Sequence, residues 1–176
     1  MLRDWESFYL LVGSAAAALI GLLFIVATLT VSVDRKSAER GDKFFMTPIV
    51  FHLCSIVVLS SLALAPTVTA TAFGIVCALA AIAGFAYGAM VTFGIVTIAD
   101  PPSHWSDKWY YGAGPTLAYV VLAFVAAAML RNRGWAVNGV ATVLVFLLLV
   151  GIRNAWDLVT YLAPKQSKPE PPKKRG

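Results

Sequence analysis

Four residues carry the side chains that could do chemistry in an otherwise apolar chain: His52, Arg153, Asn154 and Asp157. Arg153 and Asp157 are four residues apart, a spacing that places an opposite-charge pair on one face of a helix. A charged side chain at bilayer depth costs at least ~2.5–3.5 kcal/mol on insertion scales, so such residues are usually paired, protein-facing and functional. A histidine near a carboxylate can titrate near neutral pH. The four residues therefore predict a polar intramembrane cluster.

The depth of this cluster follows from counting helical turns. His52 and Asp157 each lie about two turns inside the predicted cytoplasmic ends of their helices. Polar side chains expected at a similar level are those of Thr28, Thr30 and Tyr119. Such a cluster could relay protons or bind a small anion. Alternatively, Arg153 snorkels to the interface and the pair only locks its helix to its neighbours.

No catalytic or metal-binding pattern accompanies the cluster. The two cysteines, Cys54 and Cys77, lie inside apolar runs without Cys/His ligand spacing, and we interpret both as packing residues. A haem with two axial ligands would need His104, which lies in a polar loop. The run Gly112-Ala113-Gly114 lacks the strand and the lysine of a phosphate-binding loop. We therefore expect no metal, no cofactor and no enzymatic activity.

Apolar residues dominate the chain. Of its 176 residues, 59% are hydrophobic and 13% are charged, whereas a soluble domain has about 25% charged residues. A helix needs ~20 apolar residues to cross the ~30 Å hydrocarbon core of a bilayer. Five such runs predict an all-α, polytopic transmembrane helical bundle with five spanning helices. We expect them at about 8–33, 44–65, 71–98, 112–130 and 135–162.

The distribution of lysine and arginine predicts the orientation of the bundle. With five spans, ten basic residues fall in the loops after the first and third helices and in the tail, against three on the opposite side. Cytoplasmic segments carry the excess of Lys and Arg, so we expect the N-terminus outside and the C-terminus in the cytoplasm. The net charge of +5 fits this role. It does not indicate nucleic-acid binding, because no basic stripe interleaved with aromatic residues occurs.

Two segments lie outside the predicted spans. The Pro- and Lys-rich tail, 164–176, is expected to be a disordered cytoplasmic segment that holds weakly to anionic lipid. Residues 103–111 predict a short interfacial helix, with a lid or docking patch as the alternative reading. Aromatic side chains expected at the membrane interfaces are those of Trp5, Trp105, Trp109 and Trp135.

Small residues recur at every fourth position in two of the predicted helices. Such stripes let another helix backbone approach closely, which matters in lipid because the hydrophobic drive between helices is weak. The partner helix could belong to the same chain or to a second copy. The stripe of the first helix is Gly13, Ala17 and Gly21, and that of the third is Ala80, Gly84 and Gly88.

Two blocks of the sequence resemble a family of small bacterial inner-membrane proteins with no known activity. The run GIRNAWDLVTY, from Gly151 to Tyr161, is similar to the GIxNAWDxVTY-like ending of that family, and residues 47–52 are similar to its second helix. The resemblance implies a multi-pass protein of the bacterial cytoplasmic (inner) membrane. It also implies that His often stands in place of Arg153, so that the pairing with Asp157 varies.

These patterns favour a structural or assembly role without catalysis. The protein is expected to be a homo-oligomer or an accessory subunit of a larger membrane complex, in contact with the lipid bilayer and with copies of itself or other membrane subunits. The alternative is a small oligomeric channel or a proton-linked transporter that uses His52, Arg153 and Asp157. Familiar transporters contain internal repeats with broken helices. The absence of such a repeat argues against a secondary transporter but not against an oligomeric pore.

Overall fold

Five long helices make up most of the described chain. The computed structural model describes residues 2–31, 47–97 and 108–162. The helices are α1 (Glu6–Val31), α2 (Thr47–Leu64), α3 (Ala70–Thr97), α4 (Gly114–Leu130) and α5 (Ala136–Leu162). A short 3-10 turn, Arg3–Trp5, precedes α1. Each long helix contains a stretch long and apolar enough to cross a membrane, which confirms an all-helical chain with five candidate spans within the described residues.

A π-helical turn, Lys108–Ala113, runs directly into α4. The fourth candidate span therefore covers Trp109–Leu130 and begins before the glycine-containing segment. Residues 108–111, which the sequence assigned to a separate interfacial helix, continue into this span. The remainder of that segment, with Trp105, and the tail 164–176 lie outside the described residues.

Successive helices run antiparallel. Residues near the start of one helix contact residues near the end of a helix next to it in the chain: Gly13 faces Ser60, Gly74 faces Leu130, and Gly139 faces Val125. One end of the bundle therefore holds the start of α1, and we call it the amino-terminal end. The other end, which we call the carboxyl-terminal end, holds the end of α5 together with the starts of α2 and of the π-helical turn.

The core lies where α5 packs between two helix pairs. The most extensive contacts join α3 to α4 and α1 to α2, while α5 contacts α4, α2 and α1. The helices α2 and α3 are joined by the short turn at residues 65–69, yet each packs more extensively on its other neighbour. Fully buried side chains at the centre are those of Leu53, Ile56, Leu59, Tyr119, Leu122, Leu144 and Leu147.

The turn between α4 and α5 has a local cause in the sequence. Asn132 adopts a left-handed conformation with φ of 56°, which asparagine tolerates better than most residues. Its amide donates to the carbonyl of Met129 at 2.9 Å, and the Arg133 amide donates to the carbonyl of Ala128 at 3.0 Å. These two bonds form a Schellman motif that satisfies carbonyls at the end of α4. The chain then reverses and starts α5.

The small-residue stripe of α3 packs inside the chain. A Cβ on Gly84 would overlap the ring of Tyr119 on α4, and one on Gly88 would lie 2.5 Å from Oγ1 of Thr116. Ala80 of the same stripe is partly buried against the core. The close approach of α3 and α4 therefore depends on these glycines, as expected for small-residue contacts between membrane helices. For this stripe the partner helix belongs to the same chain.

Candidate functional site

His52 lies inside the bundle and contacts a tyrosine hydroxyl. Its side chain on α2 is 3% exposed, and its Nδ1 lies 3.0 Å from Oη of Tyr119 on α4. That hydroxyl donates to Oγ of Ser55 at 3.2 Å, and Ser55 in turn donates to the carbonyl of Phe51 at 2.9 Å. We call His52, Ser55 and Tyr119 the inner network.

The direction of the hydrogen bonds in the inner network follows from the number of hydrogens. Each hydroxyl has a single hydrogen to donate. Tyr119 donates its hydrogen to Ser55, so its oxygen accepts from His52, whose Nδ1 must then carry a hydrogen. The network runs in one direction, from the imidazole through two hydroxyls to the carbonyl of Phe51.

Aromatic rings from three helices surround the inner network. The Phe51 ring stacks on Tyr87 of α3 with centroids 4.4 Å apart, and it meets the Tyr119 ring edge-on at 6.3 Å. The centroids of the His52 and Tyr119 rings are 5.5 Å apart. These contacts hold the imidazole in an apolar setting in which an unpaired polar group would be costly.

Arg153 and Asp157 form the ion pair that their spacing predicted. Arg153 Nη1 donates to Asp157 Oδ2 across one turn of α5, and the guanidinium carbon lies 3.8 Å from the centroid of the Tyr110 ring. The two side chains are 37% and 38% exposed. We call them the rim pair, because they lie at the surface near the carboxyl-terminal end and not in the core.

Asn154 is the buried polar residue beside the rim pair. It is 1% exposed. Its Nδ2 donates to the carbonyl of Tyr110 at 3.0 Å, and its own carbonyl accepts from the Tyr111 hydroxyl at 3.1 Å. Both bonds tie the π-helical turn to α5. The Asn154 Oδ1 atom is buried without a hydrogen-bond partner in the described part of the chain.

The four predicted cluster residues thus divide into two groups. They hydrogen-bond to different partners, His52 to Tyr119 on α4 and Arg153 to Asp157 on α5. Leu53, the neighbour of His52, packs on Gly151, which lies two residues before Arg153, so the two groups lie at a similar depth. Of the other polar residues expected at this level, Tyr119 joins the network, whereas Thr28 is exposed and donates to the carbonyl of Ile25 at 2.8 Å. The Thr30 side chain lies outside what the structure describes.

A cleft of about 230 Å³ opens between α1 and α2 near the amino-terminal end. Its walls include four hydroxyl-bearing residues, Tyr9, Ser14, Ser60 and Ser61. Tyr9 and Ser60 are 0% and 1% exposed, and their hydroxyl oxygens have no hydrogen-bond partner among the described residues. Neither residue was predicted from the sequence to belong to a site. The adjacent serines in an apolar run were the available signal, but their burial depends on tertiary packing.

The small-residue stripe of α1 is only partly packed against other helices of the chain. A Cβ on Gly13 would lie 2.8 Å from Cβ of Ser60, so this glycine packs inside the chain. Ala17 is exposed, and a Cβ on Gly21 would meet nothing within 4 Å. The first helix is also the least covered, with 17% of its most apolar window buried against 33–50% for the other four spans. The partner of Gly21 is therefore not found within the described chain.

The described tryptophans lie near both ends of the bundle. Trp109 and Trp135 are each 48% exposed, and Trp135 stacks on Phe124 with centroids 5.9 Å apart. Trp5 is partly buried and meets Phe8 edge-on at 5.4 Å. Both cysteines are free: Cys77 is buried in the core as predicted for a packing residue, whereas Cys54 lies on the exposed face of α2.

Neither the arrangement of possible metal ligands nor the comparison with known proteins indicates a function. In the described ranges, no group of three or more His, Cys, Asp or Glu side chains is placed to hold a metal ion. The chain matches no protein-family model, no curated protein and no solved structure. The resemblance of the last helix to small bacterial inner-membrane proteins stays a prediction, and the function has to be argued from the geometry.

Proposed function

We propose that this chain is a non-enzymatic membrane protein that assembles with other membrane helices through α1. The observation that supports the proposal is an uncovered patch of small residues on the outside of α1, which we call the α1 outer face. It consists of Ser14, Ala17, Ala18 and Gly21, all of them exposed. Small residues at such positions are typical of close contacts between membrane helices.

Larger side chains border the α1 outer face. Leu10 and Leu11 are 58% and 70% exposed on one side of it, and Phe24 and Ile25 are 71% and 54% exposed on the other. The patch is thus a shallow depression about two turns long, bounded by bulky residues that face outward. A helix that packs into this depression approaches the α1 backbone closely and gains van der Waals contact, the main source of helix association in lipid.

The depression suits a second copy of the same helix. Copies inserted in one membrane share one orientation, so two α1 helices related by a two-fold axis along the membrane normal run parallel. Residues of such an isologous interface face their own counterparts. Gly21 would then lie opposite Gly21 and Ala17 opposite Ala17, with no bulky residue between them. An accessory role in a larger complex uses the same face against a different helix.

The same proposal includes the membrane and the orientation. The excess of Lys and Arg in the segments after the first and third helices and in the tail supports a cytoplasmic C-terminus. The resemblance of residues 151–161 supports the bacterial inner membrane. Opposite placement of the two termini is consistent with five antiparallel spans.

Gly21→Leu tests the proposal. A side chain at position 21 meets nothing within 4 Å in this chain, so the variant is expected to keep the fold of the single chain. The native mass in mild detergent should fall from that of an assembly to that of one chain. Ile82→Leu is the matched control, because Ile82 is 66% exposed on α3, away from α1. A wild-type particle with the mass of a single chain and no co-purifying protein would overturn the proposal.

A further inference from the structure

Three serine hydroxyl groups in the walls of the cleft between α1 and α2 have no hydrogen-bond partner within the described residues. They belong to Ser14, Ser60 and Ser61. By contrast, Ser55 and Thr92 each donate to the carbonyl four residues earlier in their own helix, at 2.9 and 2.7 Å. A hydroxyl group inside the hydrocarbon has no water to bond with, and leaving it unpaired is costly. The three serines therefore indicate a partner from outside the described chain.

The serines of the two helices lie at nearly the same depth. A Cβ on Gly13 would lie 2.8 Å from Cβ of Ser60, so the next residues along the chain, Ser14 and Ser61, are also close to one level. Ser60 is 1% exposed, whereas Ser14 and Ser61 are exposed, one on each helix. Ser14 lies eight residues beyond the start of α1 at Glu6, which is roughly 12 Å along the helix. The hydroxyl groups thus lie on both sides of a groove that faces the membrane.

The cleft is continuous with the α1 outer face. Ser14 and Ala17 belong to both of them, so a helix that covers the outer face also covers the cleft. The opposite wall of the cleft belongs to α2 and includes Val57, Ser61 and Leu64. A helix bound at this position therefore contacts α2 as well as α1, and it lies beside the unpaired hydroxyl groups of both helices.

A second copy of α1 turns small and polar residues toward α2. Ala17 lies on the side of α1 that lines the cleft. Ala18, roughly 100° further around the helix, lies on the other side of the α1 outer face, with Ser14 between them. A two-fold axis along the membrane normal rotates the second α1 by half a turn, so the side that carries Ala18 turns toward α2 of the first copy. Ser14 of the second copy then lies close to the level of Ser61.

We propose that the cleft between α1 and α2 binds α1 of a second copy of this chain, and that Ser14 of each copy donates a hydrogen bond to Ser61 of the other. This inference rests on the proposed function and narrows it, because the partner becomes a second copy and the interface includes α2. A hydroxyl group both donates and accepts, so the two-fold axis produces two equivalent bonds. The pair satisfies both exposed serines with groups that the chain itself carries, which a lipid tail or a purely apolar helix does not.

Cysteine cross-linking between two copies tests this interface. Two versions of the chain with different tags are co-expressed, one with Ser14→Cys and the other with Ser61→Cys. Both also carry Cys54→Ala, which removes the exposed native thiol, while Cys77 is buried. Oxidation in the membrane should join the two tagged chains by a disulfide, which cannot form within one chain because neither version has both new thiols. Ile82→Cys in place of Ser61→Cys is the control without a cross-link, because Ile82 is 66% exposed on α3.

The dissociation constant of the dimer in detergent is an independent measurement. Ser61→Ala removes the acceptor of both equivalent bonds and should raise this constant roughly five- to tenfold, since hydrogen bonds between membrane helices are individually weak. Thr142→Ala is the matched control with an unchanged constant, because the Thr142 hydroxyl is exposed on α5 and donates to the Asn138 carbonyl of the same helix. Equal constants for wild type and Ser61→Ala would overturn the proposed bonds between Ser14 and Ser61.

The outcomes separate this inference from the proposed function. A particle with two copies whose Ser14→Cys and Ser61→Cys versions form no cross-link would overturn the inference and leave the assembly function in place. A particle that contains one copy of this chain together with a different protein would do the same. A native mass equal to that of one chain, with or without bound lipid and with no other protein, would overturn both.

Discussion

Gly84 on α3 and the ring of Tyr119 on α4 lie in direct contact, with no space between them for a methyl group. This contact fixes the separation of the two most extensively packed helices. It also sets the position of the Tyr119 hydroxyl, which must reach both His52 and Ser55 on α2. A small residue on one helix thus determines a polar contact between two others.

Gly84→Ala is expected to destabilise the protein. The added methyl group overlaps the Tyr119 ring, and overpacking of this kind typically costs about 1–3 kcal/mol. The melting temperature in detergent should fall by several degrees. Gly134→Ala, in the turn before α5, is the control and should leave the melting temperature unchanged, since its methyl group meets no atom within 4 Å and Gly134 does not have a positive φ. Equal melting temperatures for the two variants would contradict the contact.

The helices could be predicted from the sequence because their signal is local. Runs of ~20 apolar residues are enough to find spans, and the Arg153–Asp157 pair follows from a four-residue spacing on one helix. The pairing of His52 with Tyr119 could not be predicted, because it depends on how α2 and α4 are rotated about their axes. Apolar side chains occur on nearly every face of α2 and α4, so the sequence pattern does not indicate which face of each helix points into the bundle. The burial of the Tyr9 and Ser60 hydroxyls, which have no hydrogen-bond partner among the described residues, could not be predicted for the same reason.

Asn154→Ala should loosen the start of the fourth span. The variant removes the bond from Asn154 Nδ2 to the Tyr110 carbonyl but keeps the backbone carbonyl that accepts from Tyr111. Hydrogen exchange of amides in residues 108–113 should therefore speed up several-fold, with little change in the second half of α4. Thr160→Ala on the same helix is the control, since its hydroxyl is exposed and bonds only within α5. Unchanged exchange in the π-helical turn would show that Asn154 does not hold it.

The rim pair should contribute little to stability. Both side chains are more than one third exposed, and exposed pairs at this spacing contribute about 0.3–0.5 kcal/mol. A double-mutant cycle with Arg153→Gln and Asp157→Asn, measured by thermal or denaturant unfolding, should give a coupling in that range that shrinks as salt is raised. A coupling above about 2 kcal/mol would contradict the exposure of the pair and indicate that the two charges are buried.

Removal of the Tyr119 hydroxyl should destabilise the bundle only moderately, by about 1 kcal/mol. Tyr119→Phe leaves the Nδ1–H of His52 without an acceptor and deprives Ser55 of a donor. Hydrogen bonds between membrane helices average about 0.6 kcal/mol in double-mutant cycles, and two are lost here. Ser55→Ala removes the bond from Tyr119 and also the bond from Ser55 to the Phe51 carbonyl within α2. The double variant should cost less than the sum of the two single variants, because the Tyr119–Ser55 bond is lost in both of them. Additive costs in denaturant unfolding would show that the two hydroxyls act independently and that the inner network is not a single chain of hydrogen bonds.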